Sequence, residues 1–328
     1  MENHNINLKM LFFFLFASIL FLMNSCSSEE NFVKSDPNNI VEFAKFTPFN
    51  ITVNKEKAIV SFVQSQIPFE IDLLNNLHQK DVNLIQEVIG KDIPVRVFVF
   101  KGTNRIAKIL SVTDVDIAEY RKSLITIDNA ILNRPDPLLI SIFPDELTLM
   151  NMFNLIVSNS CANNNQDGCL TFQLASDGCN ARAHKMKQIL NQNSYNCQKQ
   201  FIFGSDLLAS TSSCCIQWVY HTAPLVLVKN NNNEIEERVI DPSLFDVPVT
   251  PAVWREACQN LACVFNPDFE FQPVTYKTVP GIVFNYDPSS MSFLLDSDYF
   301  RTNCTLGVYQ NQSGCGIPDP FPPQNCQN

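Results

Sequence analysis

The chain has 328 residues, about twice a typical domain, which favours two domains or one domain with an appendage. It is 45% hydrophobic and only 17% charged, enough to bury real cores and too apolar for wholesale disorder. Its 23 basic and 33 acidic residues give a net charge of −10 with no basic cluster, which argues against nucleic acid, and its single long apolar run argues against a multi-pass membrane protein.

That run, Met10 to Met23, follows Lys9 and precedes Asn24-Ser25-Cys26. It is short for a membrane span and has the charged and apolar regions of a secretory signal, so residues 1–26 are expected to be a signal peptide. Cys26 follows a small residue at the end of the run and is similar to the lipidated cysteine of bacterial lipoproteins. Residues 27–39, opening with Ser27-Ser28-Glu29-Glu30, read as a polar tether. The protein is expected to be secreted, or held as an outer-membrane or cell-surface lipoprotein whose lipid is its one membrane contact. Either route leads to an oxidising compartment, where disulfides persist.

Residues 40–137 read as a small, cysteine-free α+β domain and its linker. Val95 to Phe100 is strand-like and ends at a turn glycine, Gly102, with Ile106 to Val112 as its hairpin partner. Val115 to Leu132 suits a helix, with Ile117, Tyr120, Leu124, Ile127 and Ile131 on one stripe. Asn133-Arg134-Pro135-Asp136-Pro137 then marks an exposed junction of the kind proteases cut. Charge divides at the same place: 14 basic and 16 acidic residues up to 137, against 9 and 17 beyond it.

Residues 138–328 hold the other 11 cysteines, an odd number that leaves one thiol over. Ten are expected in disulfides of open pairing: Cys161, Cys169, Cys197, Cys214, Cys215, Cys258, Cys263, Cys304, Cys315 and Cys326. Zinc is a weak reading, since no pair has C-x-x-C spacing and this part contains just His184 and His221. No metal or organic cofactor is expected.

The eleventh is Cys179. Asp177 to Leu190 reads as a turn and a helix, with Cys179, Ala183, Met186 and Leu190 on one stripe. Unpaired N–H groups at a helix start stabilise a thiolate and can receive an oxyanion. Cys179 is therefore the expected nucleophile; the plainer alternative is one more disulfide partner.

Two strands follow. Ile216 to Val228 turns at Asn230 to Asn233 and returns from Ile235 to Asp241. A turn centred between Asn231 and Asn232 makes paired positions sum to about 463, which brings Asp241 within one residue of the position opposite His221. A carboxylate there would orient the imidazole and leave its other nitrogen to work on a thiol. A capping Asp beside a structural His is the competing reading. His184 lies about 140° around the helix from Cys179 and reads as structural. Trp218 either walls the substrate slot or is a packed strand aromatic.

The run Asp177 to Leu190, the block Cys214 to His221 and Arg238 to Phe245 closely resemble the bacterial protein-glutamine glutaminases, the protein deamidases. The resemblance covers about residues 138–328, including the vicinal cysteines, the D-P-S-L-F turn and the cysteine spacing. It implies a disulfide-rich catalytic domain of papain- and transglutaminase-like α+β fold, whose Cys179-His221-Asp241 triad turns protein-bound glutamine into glutamate and ammonia through a thioester. It also implies a secreted proenzyme and hence, as partners, glutamine-bearing proteins or peptides, the chain's own N-terminal domain and a processing protease. Asn180 stands where the family has an aromatic residue, and Pro224 falls in a strand that is aliphatic in the family.

Three other readings remain: a transglutaminase or a papain-like protease using the same triad, or a disulfide-stapled surface binding protein without activity. Within the first domain, Ser61 to Phe69 is the expected inhibitory segment, a strand along the cleft stopped by Pro68. It carries two glutamines, Gln64 and Gln66, as candidate pseudo-substrates, with solvent-facing residues of an ordinary strand as the alternative.

Overall fold

The structure, a computed structural model, describes residues 39–74, 78–125, 140–164, 166–211, 214–264, 273–322 and 326. The expected signal peptide, Cys26, the expected tether up to residue 38 and the expected junction at 133–137 lie outside the described residues. Residues 40–328 form one compact unit.

The first part runs β1 (Ile40–Phe46), β2 (Pro48–Val53), β3 (Lys57–Phe62), β4 (Ser65–Asp72), α1 (Gln79–Val88), β5 (Val95–Phe100), β6 (Ile106–Ser111), α2 (Asp114–Ser123) and β7 (Leu124–Ile125). Antiparallel strands make two three-stranded sheets, ordered β1-β5-β6 and β2-β3-β4. Alternation explains β5: Val95, Val97 and Val99 face inward with period 2, joining Phe46, Phe62, Phe69 and Ile85 in a core of the first part's own. The β5–β6 hairpin forms as the sequence implies.

Two expectations change here. The helix expected from Val115 to Leu132 ends at Ser123, and Leu124–Ile125 instead pairs with a strand of the second part. A capping box at Thr113 and Asp116 fixes its start, but Leu124 and Ile125 take extended backbone because a partner strand is present. Ser61 to Phe69 is not one strand but a hairpin tip, with Val63 and Gln64 turning between β3 and β4. Pro68 does not stop β4, because that strand is last in its sheet and its missing N–H breaks no ladder there.

The second part runs β8 (Ile142–Phe143), α3 (Glu146–Ser158), α4 (Cys179–Gln192), β9 (Gln198–Ser210), β10 (Cys215–Lys229), β11 (Ile235–Val239), α5 (Pro251–Ala257), β12 (Thr275–Pro280), β13 (Val283–Asp287), β14 (Ser292–Leu295) and α6 (Phe300–Tyr309). Its main sheet is ordered β11-β10-β9-β12, with β8 also paired to β10. α4 packs on this sheet: Ala183, Met186, Ile189 and Leu190 bury against Val226 and Val228. β10 runs through Pro224, whose carbonyl accepts from the Ile240 N–H.

Four disulfides join Cys161–Cys169, Cys214–Cys315, Cys215–Cys263 and Cys304–Cys326. Cys197 and Cys258, expected in bridges, are instead buried thiols like Cys179. Each packs as a small hydrophobe in a different core, Cys197 with Phe143 and Leu190, Cys258 with Trp218 and Trp254.

The two parts interlock. The hairpin tip brings Val63, and β2 brings Phe49, into a core with Phe201, Phe203, Tyr220 and Cys179. The Val63 carbonyl accepts from the Tyr220 hydroxyl at 3.1 Å and from Asn285 Nδ2. In return Phe321, from the C-terminal tail, packs on Phe43 and Phe46 of the first part. No helix among the described residues is long and apolar enough to cross a membrane.

Candidate active site

Local backbone chemistry sets the nucleophile's position. Gly178, the N-cap of α4, has φ +83°, and a Cβ there would lie 2.9 Å from the Tyr309 ring. Glycine alone suits both constraints, and it delivers Cys179 as the first helical residue. Arg182, one turn on, is buried, and its Nη1 donates to the carbonyls of Leu174 (2.8 Å) and Asp177 (2.6 Å). It thus ties down the loop that leads into Cys179. The place of Arg182 at i+3 from Cys179 is the signal in the sequence that points to it.

His221 lies in the middle of β10, opposite Ile202 of β9. β10 and β11 pair with positions summing to 464, as in Leu225 with Val239, so the turn is centred on Asn232, half a residue from the expected place. β11 ends at Val239, and Asp241 follows it, its own carbonyl accepting from Leu244 and Phe245 N–H in the D-P-S-L-F turn. The expected contact forms: His221 Nε2 meets Asp241 Oδ2 at 2.7 Å. A carboxylate on Nε2 holds the proton there, which leaves Nδ1 as the basic nitrogen. Nδ1 is buried and has no hydrogen-bond partner in the structure.

Two tryptophans hold this pair. Trp218 stacks on His221 with centroids 4.2 Å apart, and Trp254 lies parallel at 5.6 Å. Trp254 Nε1 also donates to Asp241 Oδ2 at 2.9 Å. Trp218 is a fully buried aromatic on the imidazole, so its packing reading holds, and it reaches the slot through the Ala175 carbonyl to which its Nε1 donates. Trp254 escaped sequence reasoning because 13 residues separate it from Asp241 and no local pattern links them.

His184 is turned elsewhere, as expected. Its Nδ1 receives Lys199 Nζ at 2.8 Å and its Nε2 donates to the Asp296 carbonyl. Burial lowers both groups, Lys199 to about 7.

The electrostatics at Cys179 differ from the expectation. Cys179, His221 and Asp241 are 1%, 1% and 2% exposed. Burial pushes the Cys179 thiol well above its ordinary range, with the Asp177 and Asp241 charges adding and Arg182 and the Thr222 N–H opposing. The helix start alone favours a thiolate; under the hairpin tip, desolvation wins and the thiol is neutral. Asp241 moves the other way: burial disfavours its charge, but His221 and the Trp254 N–H together hold it below the usual carboxylate value.

What covers Cys179 is Gln66. Its side-chain Oε1 accepts from the Cys179 backbone N–H at 3.1 Å, and its Nε2 donates to the Ala175 carbonyl at 3.1 Å. Its main-chain N–H reaches Asp177 Oδ1 at 3.3 Å, and Ser65 Oγ donates to Asp177 Oδ2 at 3.0 Å. Gln64, the other candidate, pairs instead with Thr47 inside the first part: its Oε1 accepts from the Thr47 N–H at 2.8 Å. It shares a small buried cavity with Asn180 and Asp177. Beside Ala175, a cleft of about 700 Å³ opens between Gln173, Pro242, Ser243, Phe245 and Gly314, and no described residue of the first part lines it.

Among the described residues, no group of three or more His, Cys, Asp or Glu side chains is arranged to hold a metal. A thiol at a helix start, an imidazole fixed by a carboxylate and an N–H already holding an amide oxygen can together perform acyl transfer from an amide.

The family described as glutaminase matches residues 149–258. Among solved structures, the chain is similar to a mutant of pro-protein-glutaminase (34% identity, TM-score 0.78), covering 88% of this chain and 99% of that one. It is similar to pro-protein-glutaminase itself (35%, TM-score 0.76), over 87% and 97%. A protein-glutaminase from Chryseobacterium proteolyticum is 44% identical with a TM-score of 0.50, over 56% of this chain and 96% of that one. No curated protein matches.

Proposed function

The chain belongs to the protein-glutaminase family, as a proenzyme of that hydrolase, and we propose that Cys179, His221 and Asp241 are its working triad. Deprotonated through His221 Nδ1, Cys179 attacks the side-chain carbonyl of a protein-bound glutamine. The Cys179 N–H holds the oxyanion, and His221 gives its proton to the departing ammonia. Water, activated by the same imidazole, then hydrolyses the thioester to glutamate. Asp241, held by Trp254, keeps the ring aligned and stabilises its charge.

The observation that carries this reading is the Gln66 carboxamide, which sits on the Cys179 N–H as a substrate amide would. Gln66 is the pseudo-substrate, and residues 40–137 are the inhibitory domain. They block the catalytic domain, residues 138–328, twice: they fill the amide site and they desolvate the thiol. Gln64 serves the hairpin rather than the site. Activation is a cut in the linker by a processing protease, after a signal peptide at 1–26 has sent the protein out of the cell or, with Cys26 lipidated, to the cell surface.

The test is ammonia release from a glutamine-rich protein after limited proteolysis of the linker. The expected result is ammonia without chain cleavage and without cross-links. Cleaved chains would point to a protease, cross-links to a transglutaminase, and no reaction to a binding protein.

A further inference from the structure

Asp177 has no part in the chemistry above, yet it is a buried carboxylate next to the nucleophile's helix. Two of its partners belong to its own part of the chain: the Gly178 N–H at 2.7 Å on Oδ1 and the Tyr309 hydroxyl at 3.2 Å on Oδ2. The other two, the Gln66 main-chain N–H and Ser65 Oγ, are brought by the hairpin tip. When the tip leaves, both oxygens lose a donor, and a carboxylate with half its partners gone favours whatever donor next arrives.

We infer that Asp177 takes the main-chain N–H of the substrate's glutamine, so that the site measures the span from that N–H to the carboxamide. The inference rests on Gln66 being a substrate mimic. Three fixed groups read that one residue: Asp177 its main-chain N–H, the Cys179 N–H its carboxamide oxygen, and the Ala175 carbonyl its carboxamide nitrogen. All three come from the five-residue stretch 175–179, which Arg182 holds in place, so their spacing is set before substrate binds. Asparagine is one methylene shorter and cannot reach Asp177 and the Cys179 N–H together. The Ala175 carbonyl adds a polarity test: it accepts from an amide NH₂ and repels the carboxylate of the product.

The activated enzyme, freed of its N-terminal domain, should be assayed on an end-blocked peptide with one central glutamine. Three further peptides carry an N-methyl on the glutamine nitrogen, an N-methyl two residues away, or asparagine in place of glutamine. We expect methylation of the glutamine nitrogen to cut kcat/KM at least about tenfold, mainly through KM. The distant methyl should cost less than about threefold, and asparagine at least about a hundredfold. In Asp177→Ala the penalty for methylating the glutamine nitrogen should shrink to less than about threefold. A wild-type enzyme indifferent to that methyl group would overturn the inference, whatever the variant does. So would a penalty that persists undiminished in folded Asp177→Ala. An enzyme inactive even on the parent peptide would overturn the glutaminase reading and this inference with it.

Discussion

The side chain of Gln66 and the backbone of Cys179, 113 positions apart in sequence, share a hydrogen bond of 3.1 Å in which the amide oxygen accepts from the N–H that opens helix α4. In the proposed mechanism that N–H stabilises the oxyanion, so the bond occupies it with the side chain of the substrate type.

Removing that amide should loosen the block. Gln66→Ala loses two neutral hydrogen bonds of about 1 kcal/mol each, so ammonia release by the uncut proenzyme should rise about tenfold or more. Gln64→Ala, which breaks contacts inside the first part, should raise it less. An uncut Gln66→Ala protein no leakier than wild type would remove the pseudo-substrate.

The buried thiol makes the block depend on pH. Cys179 has a raised pKa when covered, so the covered form holds its proton where the open form has released it. Docking of the N-terminal domain is therefore fully supported below the pKa of the uncovered thiol, which the helix start sets below the ordinary value of about 8.5, and weakens as pH rises through it. Binding of the cut N-terminal domain to the activated enzyme should fall by up to about tenfold per pH unit there. Cys179→Ala should flatten that slope. Alkylation of Cys179 by iodoacetamide should be slow in the proenzyme at neutral pH and fast once the linker is cut.

The triad should show unequal costs. His221→Ala removes both base and acid, and turnover should drop at least about a thousandfold. Asp241→Asn disturbs alignment and should cost less than His221→Ala. Trp254→Phe deletes one donor to Asp241 and should lower kcat by about tenfold, with KM little changed. Steady-state ammonia release measures all three, and a fully active His221→Ala enzyme would remove the mechanism.

Thiol counting tests the cysteine chemistry. Of the 11 cysteines beyond residue 160, eight are bridged and Cys179, Cys197 and Cys258 are thiols. The denatured, unreduced catalytic part should therefore take up three equivalents of a thiol reagent. One equivalent would mean that Cys197 and Cys258 are bridged after all.

Much of the site was legible in the sequence because its parts are local. Cys179 announces itself by its helix start, and a hairpin with a four-asparagine turn carries His221 to Asp241 whether its centre lies at 231.5 or 232. Periodicity of 2 and 3.6 is enough to place β5, β6, β10 and α4. The end of α2 was not legible, because the pairing of Leu124 with Leu294 is a contact between the two parts. Nor was the state of Cys197 and Cys258: whether two thiols meet depends on which core each packs into, and parity counts only the total. The sequence could name two glutamines but not choose between them, since that choice is made by the turn at Val63 and Gln64, which aims Gln66 at Cys179 and Gln64 at Thr47. It likewise supplied a helix start that favours a thiolate, while the covering hairpin decided the thiol's protonation, because desolvation depends on everything packed around the sulfur rather than on the residues beside it in the chain.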